Sequence, residues 1–409
     1  MKLLKIFSIL LLLSLFSCKS ADYYKYKTFD FPQKIDTSDR QIQRQKKDVF
    51  QIDDVLVDNR FDAARMNGFS KINDTVYQIE ISAENEPVNP SPWYAFQIYS
   101  TQDKDIFLRI NYVHAKHRYR PKISRDRIQW DTIPQALLTL PEDKSYIVFP
   151  LHLNTEKIYV AAQPVINTSD VKNWIQKLRE NPLVTDVKSI GKSVENREIP
   201  FLKIGNDTTG KKEIIVLLSR QHPPEVTGFQ ALQYFIDELL QDNRLTHAFY
   251  NKYEVWIFPL LNPDGVDLGH WRHNAHGVDL NRDWAYYRQP EIKAVTQFIV
   301  NEAKKSRQKV VLGIDFHSTF KDVYYVYNNQ IHSVIPDFNA SWTYAIDRLT
   351  PVETYYSPGA MNLSVSKNWF YRQFKAEGIT YEVGDDTPVE LVKRKAETAA
   401  ILMMTALLK

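Results

Sequence analysis

"IIVLLSRQHPPEVTG", residues 214–228, changes abruptly from apolar to polar residues. The apolar run 214–218 predicts a buried strand, and the two consecutive prolines prevent a strand or a helix from continuing through the turn that follows. A helical pattern of apolar residues begins directly after the turn. His222 and Glu225 therefore lie in a strand-to-helix turn, which is where open α/β sheets bind ligands. By itself, this turn is equally compatible with an ordinary polar loop.

The same alternation of strand and helix patterns continues to the end of the chain. It predicts an α/β fold with a mixed, mostly parallel sheet flanked by helices, in a domain that spans residues 164–409. Residues 167–170 predict the first helix start, and Thr387 with Glu390 predicts a capping box for the last helix. The predicted strands are 214–218, 253–260, 310–316, 322–327 and 379–383, and the predicted helices are 227–241, 290–304, about 336–348, about 364–376 and one from Pro388 onward.

Residues 50–163 show a different pattern, in which short runs alternate apolar and polar residues. Runs such as Val76–Ile81 and Trp93–Tyr99 are separated by Asn, Asp and Pro, which is typical of strands joined by turns. Short strands at this spacing predict an antiparallel β-sandwich domain before the α/β domain. The basic segment "KHRYRPK", residues 116–122, is interpreted as a solvated edge loop.

The first residues of the chain carry a targeting pattern. A basic start is followed by the apolar stretch 6–16, which is too short to span a bilayer. The stretch ends at Cys18, the only cysteine in the sequence, and a small residue before a cysteine at this place resembles a bacterial lipobox. We therefore predict a signal peptide over 1–18, a lipidated Cys18, a tether over 19–49, and an exported, membrane-anchored lipoprotein in the periplasm or cell envelope of a bacterium. An ordinary signal peptide with an unrelated cysteine is the alternative.

A second strand end supplies another candidate metal ligand. The run 310–316 predicts a buried strand, and His317 follows it directly. Hydrolytic zinc sites use three histidine or carboxylate ligands and leave a fourth position open. His222, Glu225 and His317 are therefore predicted to bind one zinc ion per chain. Glu382 ends another apolar strand, where a carboxylate can accept a proton from water that a metal activates.

The long polar loop 262–284 leaves the predicted strand 253–260, and long loops at such strand ends usually carry function. It contains Arg272 and Arg282, and the arginine side chain is suited to fork-like binding of a carboxylate or an oxyanion. The loop also contains three histidines that no ordered element fixes, so they are not predicted to bind metal. They are His270, His273 and His276.

Five motifs in one order resemble the carboxypeptidase A family of zinc metallocarboxypeptidases. They are HxxE, NPDG, an arginine followed by GxDxNR, a strand-end HS and a strand-end Glu, and together they cover about residues 165–409. The resemblance implies that His222, Glu225 and His317 bind zinc and that Glu382 is the general base.

The resemblance also assigns roles around the metal. Arg272 matches the arginine that stabilises the oxyanion, and Asn281 with Arg282 matches the pair that binds the terminal carboxylate of the substrate. Asp279 matches the carboxylate that orients the first zinc histidine, His222.

The segment before Glu382 is expected to cover and line the substrate pocket. Tyr355 or Tyr356 matches the tyrosine that closes over the substrate, and the spacing to Gly359 slightly favours Tyr355. The residues that follow contain no acidic side chain, which argues against substrates with a basic end. Lys367 among them is interpreted as solvated rather than as a receptor for an acidic side chain.

HPPE in place of the more usual HPGE, the spacing from Arg272 to Arg282 and the preceding sandwich are similar to cytosolic carboxypeptidases. The predicted function is a zinc-dependent metallocarboxypeptidase that hydrolyses the C-terminal peptide bond of peptides or proteins. With 52 basic and 49 acidic residues, the chain is predicted to have no nucleic-acid partner. Two alternatives remain open: an N-acyl amino acid amidohydrolase on a related zinc site, and a non-catalytic lipid-anchored binding module.

Overall fold

The structure is a computed structural model that describes residues 23–31, 40–206, 210–328 and 331–409. The predicted signal peptide and Cys18 lie outside the described residues. Within the described ranges, no helix combines the length and the apolar character that a membrane span requires.

The first domain consists of short strands in two sheets, as the alternating pattern predicts. One sheet has the order β1-β2-β5-β10-β7-β8 and the other β3-β4-β6-β9, and every pairing is antiparallel except that of β4 with β6. Buried side chains from both sheets form one core, which confirms the β-sandwich. In chain order the strands are β1 (Val49–Ile52), β2 (Val55–Asp58), β3 (Gly68–Lys71), β4 (Val76–Ile81), β5 (Ala95–Ser100), β6 (Lys104–Tyr112), β7 (Lys122–Ser124), β8 (Asp131–Thr132), β9 (Tyr146–Leu153) and β10 (Ile158–Ala161).

The second domain is built on an eight-stranded sheet with the order β11-β12-β14-β13-β15-β18-β16-β17. The four strands at its centre, β14, β13, β15 and β18, pair in parallel, which confirms the mixed, mostly parallel sheet. In chain order the strands are β11 (Val184–Lys192), β12 (Glu198–Ile204), β13 (Glu213–Ser219), β14 (Tyr253–Phe258), β15 (Val310–Thr319), β16 (Val323–Val326), β17 (Tyr355–Pro358) and β18 (Glu377–Gly384).

Helices cover both faces of this sheet. Successive side chains of a strand point to opposite faces, so Ile215 and Leu217 of β13 enter one core while Ile214, Val216 and Leu218 enter the other. The α-helices of the described residues are α1 (Thr168–Leu178), α2 (Val226–Leu239), α3 (Arg244–Tyr250), α4 (Pro263–Leu268), α5 (Pro290–Ser306), α6 (Phe338–Leu349), α7 (Ser366–Phe374) and α8 (Val389–Leu408).

Two helix starts test the predicted caps. Asn167 caps α1, with its side chain bound to the Asp170 amide and the Asp170 side chain returned to the Asn167 amide. The capping box predicted for α8 is wrong, because no side chain caps that helix. The Thr387 hydroxyl donates instead to Asp322 Oδ2 at 2.7 Å. The Thr387 hydroxyl is therefore bound to the buried Asp322 carboxylate and does not cap the helix.

The sandwich and the α/β domain contact each other across the boundary that the sequence predicts at residue 164. Trp271, from the long loop of the second domain, is buried in the core of the sandwich. The described part of the predicted tether also lies against the second domain. Tyr23 exchanges hydrogen bonds with the Val310 backbone at 2.8 and 3.0 Å, and the Tyr287 hydroxyl donates to the Lys27 carbonyl.

Candidate active site and metal centre

The carboxyl ends of neighbouring parallel strands bring the candidate metal ligands together. His222 and Glu225 lie in the turn between β13 and α2, and His317 lies near the end of β15. On β18, Glu382 is directly opposite His317 in the parallel register. Residues separated by up to 160 positions in sequence therefore meet at one edge of the sheet.

The three predicted ligands form a compact, buried set. One donor atom from each of His222, Glu225 and His317 lies within 4.8 Å of the others. Glu225 Oε1 is 2.8 Å from His222 Nδ1, and Glu225 Oε2 is 2.6 Å from His317 Nδ1. Among the described residues this is the one group of its kind.

Two aspartates determine which nitrogen each histidine offers. Asp279 Oδ1 is 2.9 Å from His222 Nε2, and Asp315 Oδ2 is 2.9 Å from His317 Nε2. A proton held on each Nε2 leaves both Nδ1 lone pairs directed at the Glu225 carboxylate, an arrangement that a bound cation stabilises. Two imidazole nitrogens and one carboxylate oxygen are the donor set of a catalytic zinc site. The residues present therefore fit one zinc ion.

Glu382 has the environment of a general base. Its Oε2 is buried and has no hydrogen-bond partner among the described residues. Burial and the charge of Glu225 raise the pKa of the Glu382 carboxyl to about 8. A bound cation would counteract that shift, because it favours the ionised form.

Arg272 lies in the loop before the 3-10 turn Leu280–Arg282 and contacts the same network. Its Nε donates to Asp279 Oδ2 at 2.7 Å. Burial alone would raise the pKa of Asp279, but the charges of Arg272 and His222 lower it well below its ordinary value. Asp279 therefore stays ionised and links the arginine to the histidine.

The three candidate metal ligands, Glu382 and Arg272 line one cavity of about 280 Å³. Its wall also includes Asn281 and Arg282, to which the family resemblance assigns binding of the substrate carboxylate. The Asn281 side-chain oxygen accepts from the Ser366 amide at 3.0 Å, and Arg282 Nη1 donates to the Asn281 carbonyl at 2.8 Å. The loop and helix α7 thus hold both residues at the cavity wall.

A model of the zinc carboxypeptidase family matches residues 171–387, which is more than half of the chain. The chain belongs to the zinc carboxypeptidase family. It is similar to cytosolic carboxypeptidase 6 of Mus musculus, with 24% identity over 63% of this chain and 52% of that protein. The chain therefore spans about half the length of that relative.

The fold resembles solved bacterial carboxypeptidases along nearly the whole of those chains. A metallo-carboxypeptidase from Burkholderia cenocepacia superposes with a TM-score of 0.71 and 18% identity, covering 87% of this chain and 98% of that one. A putative carboxypeptidase A from Shewanella denitrificans OS-217 superposes with a TM-score of 0.71 and 23% identity, covering 86% and 98%. Because these structures cover the sandwich as well, both domains share this architecture.

In this zinc carboxypeptidase family member, the two candidate tyrosines are not brought to the ligands. Tyr355 and Tyr356 lie on the edge strand β17 and are about two-fifths exposed. The Tyr356 hydroxyl donates to the Thr343 carbonyl of α6, and neither tyrosine is among the residues that line the cavity. Tyr325 of β16 lines it instead. The prediction for this pair therefore gains no support from the structure.

The interpretation of Lys367 as a solvated lysine is wrong. It is buried at the cavity wall, and its Nζ has no hydrogen-bond partner among the described residues. The ammonium lies 4.4 Å from the centre of the Tyr327 ring. Burial lowers the pKa of Lys367 to about 8, and the charge of Glu377 opposes that shift.

The basic loop 116–122 is not a solvated edge throughout. Arg118 reaches across the domain boundary and lines the cavity. Its guanidinium pairs with Asp385, at 2.7 Å from Nε to Oδ2 and 3.3 Å from Nη2 to Oδ1, and Nη1 donates to Ser91 Oγ. In the sequence the loop is only a run of basic residues, because Asp385, the partner of Arg118, lies 267 positions away.

The three loop histidines contact protein groups through their Nδ1 atoms. His270 bonds to the His273 carbonyl at 3.0 Å, His273 to Asn85 Oδ1 at 2.6 Å, and His276 to Gln289 Oε1 at 3.1 Å.

Sequence reasoning also missed Asp315. It lies two positions before His317 on β15, so both side chains point to the same face of the sheet. That period-two relation was the available signal.

Proposed function

We propose that this protein is a catalytically active zinc carboxypeptidase that removes the C-terminal residue of peptides or proteins. The observation that supports this is the composition of one cavity. It combines the three metal donors with Glu382, whose Oε2 has no partner among the described residues, and with Arg282 and Asn281.

The reaction follows from the positions of these side chains. When bound, zinc polarises the scissile carbonyl and lowers the pKa of water at the site. Glu382 accepts a proton from the attacking water while the oxygen of that water bonds to the carbonyl carbon. The same carboxyl then delivers that proton to the amine nitrogen as the C–N bond breaks. Arg272 stabilises the negative charge that develops on the carbonyl oxygen, a contribution of about 3–4 kcal/mol by analogy with other oxyanion donors.

Arg282 and Asn281 restrict the reaction to chain ends. The guanidinium can pair with a free carboxylate through two parallel hydrogen bonds, and the Asn281 side chain can add a third. A residue within a chain has no carboxylate to offer, so it is not held in register.

A blocked C-terminus tests this proposal. Wild-type enzyme should cleave a free-acid peptide about 10 to 100 times more efficiently than its C-terminal amide, because losing a hydrogen bond to a charged group costs about 1.5–3 kcal/mol. Arg282→Ala should lose as much on the free acid, and the two losses should not add, because they remove one interaction. Arg348→Ala, at an exposed position of α6, is the control and should cleave the free-acid peptide as wild type does. Equal cleavage of amide and acid would reject the carboxypeptidase, and a preference for N-acyl amino acids would support the deacylase.

We further propose that the terminal residue removed is acidic. A buried ammonium without a hydrogen-bond partner among the described residues lies at the cavity wall, and a substrate carboxylate would supply the missing partner. With peptides that vary in the last residue, Glu and Asp should be preferred over Gln and Asn by about tenfold or more. Lys367→Met should abolish that preference, while Lys393→Met on the surface of α8 should keep it. A preference for apolar ends in wild type would overturn this proposal.

We also propose that the enzyme is a lipoprotein of the bacterial cell envelope. The basic start, the apolar stretch 6–16 and the single Cys18 support it. Metabolic labelling with a fatty acid should label wild type and not Cys18→Ala. Equal labelling of both would exclude lipidation of Cys18.

A further inference from the structure

A carboxylate of the sandwich domain, Glu84, is buried against the loop of the second domain that carries Arg272. Glu84 follows β4 and is fully buried. Its Oε2 accepts from the Trp271 amide at 2.7 Å, and its Oε1 accepts from the Arg272 amide at 3.0 Å and the His273 amide at 2.7 Å. Three consecutive backbone N–H groups thus converge on one side chain from another domain.

Convergence of this kind fixes a backbone turn. Buried amides that lose their acceptor retain the full cost of desolvation, so the turn is stable only while the carboxylate is in place. Burial alone would raise the pKa of Glu84, but the charges of His270, His273 and Arg65 lower it to about 2. The acceptor is therefore ionised at neutral pH, which strengthens all three hydrogen bonds.

The fixed turn is connected to the metal centre through Arg272. The amide of Arg272 binds Glu84, and its side-chain Nε binds Asp279 at 2.7 Å. The other oxygen of Asp279 holds His222 Nε2 at 2.9 Å. A path of three direct contacts thus leads from the sandwich domain to a zinc ligand.

Neighbouring contacts hold the same loop on the sandwich. Trp271 is buried in the sandwich core, and its indole N–H donates to the Trp93 carbonyl at 3.0 Å. Asn85, next to Glu84, donates to the Gly277 carbonyl at 3.1 Å. The indole and Asn85 attach the loop, but only Glu84 binds the Arg272 backbone directly among these groups.

We propose that Glu84 is a positioning residue for Arg272, so that the sandwich domain completes the active site of the second domain. Its carboxylate sets the backbone direction from which the Arg272 side chain enters the cavity. This inference rests on the proposed function, in which Arg272 stabilises the oxyanion.

Glu84→Gln tests the proposal in the full-length protein. The amide keeps one acceptor and places an NH₂ donor against at least one backbone N–H, which loosens the turn without a large change in volume. We expect kcat to fall by about 10- to 100-fold. This loss should not exceed the loss of about 100- to 1,000-fold that follows the removal of an oxyanion donor. KM should change less than about twofold and zinc content should stay near one per chain, because neither substrate carboxylate nor metal is bound by this turn.

Asp58→Asn is the matched control. Asp58 is a buried carboxylate of the same domain that pairs with Arg60 and Lys157 of that domain. It should lower stability without changing kcat. Glu84→Asp keeps the charge but is shorter by one methylene, so it should give an intermediate loss of kcat and serves if Glu84→Gln does not fold.

Two further readouts separate positioning from general stability. In an Arg272→Ala background, Glu84→Gln should cause no additional loss of kcat, because the residue through which it acts is gone. Hydrogen exchange of the backbone over residues 270–274 should accelerate in Glu84→Gln or Glu84→Asp and stay unchanged in Asp58→Asn. Additive losses of kcat, or unchanged exchange in this segment, would overturn the proposal. Absence of turnover in wild type would instead reject the proposed function, and the exchange experiment would still decide the role of Glu84.

Discussion

Single residues decide which atoms of the metal centre are available for binding. His222 and His317 each have a carboxylate at Nε2, from Asp279 and Asp315, so Nδ1 would be the atom of each ring that binds a metal. Asp315 is itself held by the Gln221 side-chain amide at 2.5 Å and by the Ser366 hydroxyl. The ring orientation is thus determined by buried neighbours of the ligands.

Asp315→Asn should weaken zinc binding. The amide no longer attracts the Nε2 proton as a charge does, so the orientation and basicity of His317 are less well defined. We expect zinc affinity to fall by about 10- to 100-fold, measured by competition with a chelator. Asp237→Asn, exposed on α2, is the control. Wild-type affinity in Asp315→Asn would show that the carboxylate does not support the ligand.

Glu382→Gln should abolish turnover while leaving zinc in place. The amide cannot accept the proton of the attacking water, and Glu382 is not among the three ligands. We expect kcat to fall by about 100-fold or more, with zinc content near one per chain. Glu390→Gln in the first turn of α8 should behave as wild type. Near-normal turnover in Glu382→Gln would mean that another group is the base.

In the second domain, helix α2 lies very close to strand β15 at the point where the ligands meet. Helix α2 begins just after Glu225, and Gly228 in its first turn lies against the backbone of His317 on β15. A Cβ at this position would be 2.4 Å from the His317 carbonyl oxygen. The absence of a side chain is therefore what allows the helix to hold Glu225 beside His317.

Gly228→Ala should disturb both packing and metal binding. The methyl group would force α2 away from β15, at a cost of about 1–3 kcal/mol in the free energy of unfolding. Because Glu225 moves with the helix, zinc affinity should fall as well. Urea denaturation and chelator competition measure the two effects. Gly205→Ala is the control, since its Cβ would meet Glu254 Cβ at an ordinary 3.5 Å. Wild-type zinc affinity in Gly228→Ala would contradict this view of the helix.

Across both domains, several carboxyl groups are buried away from the metal centre. Burial raises the pKa of Glu291, at the start of α5, to about 7. Its carboxylate lies under the long active-site loop, where Asn274 donates to Oε2 at 3.1 Å. Between the pKa of an unfolded glutamate and about 7, the folded state binds more protons than the unfolded state.

The contribution of Glu291 to the free energy of unfolding should therefore fall as pH rises from 5 to 8. A carboxyl group whose pKa is higher in the folded state stabilises that state fully at a pH below its unfolded pKa. This stabilisation is lost as the pH rises through the folded pKa, and the free energy of unfolding then changes by up to about 1.4 kcal/mol per pH unit. Glu291→Gln should flatten the curve over this range, and Glu302→Gln near the end of α5 should not. Urea denaturation at four pH values measures it. Parallel curves for wild type and Glu291→Gln would contradict the prediction.

Local patterns in the sequence determine the central strands of the second domain and the candidate residues of the metal centre. The apolar runs that became β13, β15 and β18 are buried on both faces, so their residue types alone mark central strands. Each is followed or ended by a polar residue that a buried strand would not otherwise contain. For this reason His222, Glu225, His317 and Glu382 could be identified before the fold was known.

Other elements have no comparable pattern in the sequence. The edge strands β11 and β17 contain no fully buried residue and no continuous apolar run, and the short helices α3 and α4 are barely two turns long. Their conformation depends on neighbours from distant parts of the chain. Propensity and periodicity are weak signals in segments of that kind.

Tertiary structure decided the contacts between residues far apart in sequence. It placed Arg118 beside Asp385, buried Lys367 at the cavity wall, left Tyr355 and Tyr356 outside the cavity lining, and joined Glu84 to the Arg272 loop. A sequence specifies which side chains can donate, accept or carry charge. Which of them meet, and whether water reaches them, depends on how sheets and domains pack, because burial converts an ordinary surface charge into a group that must find a partner.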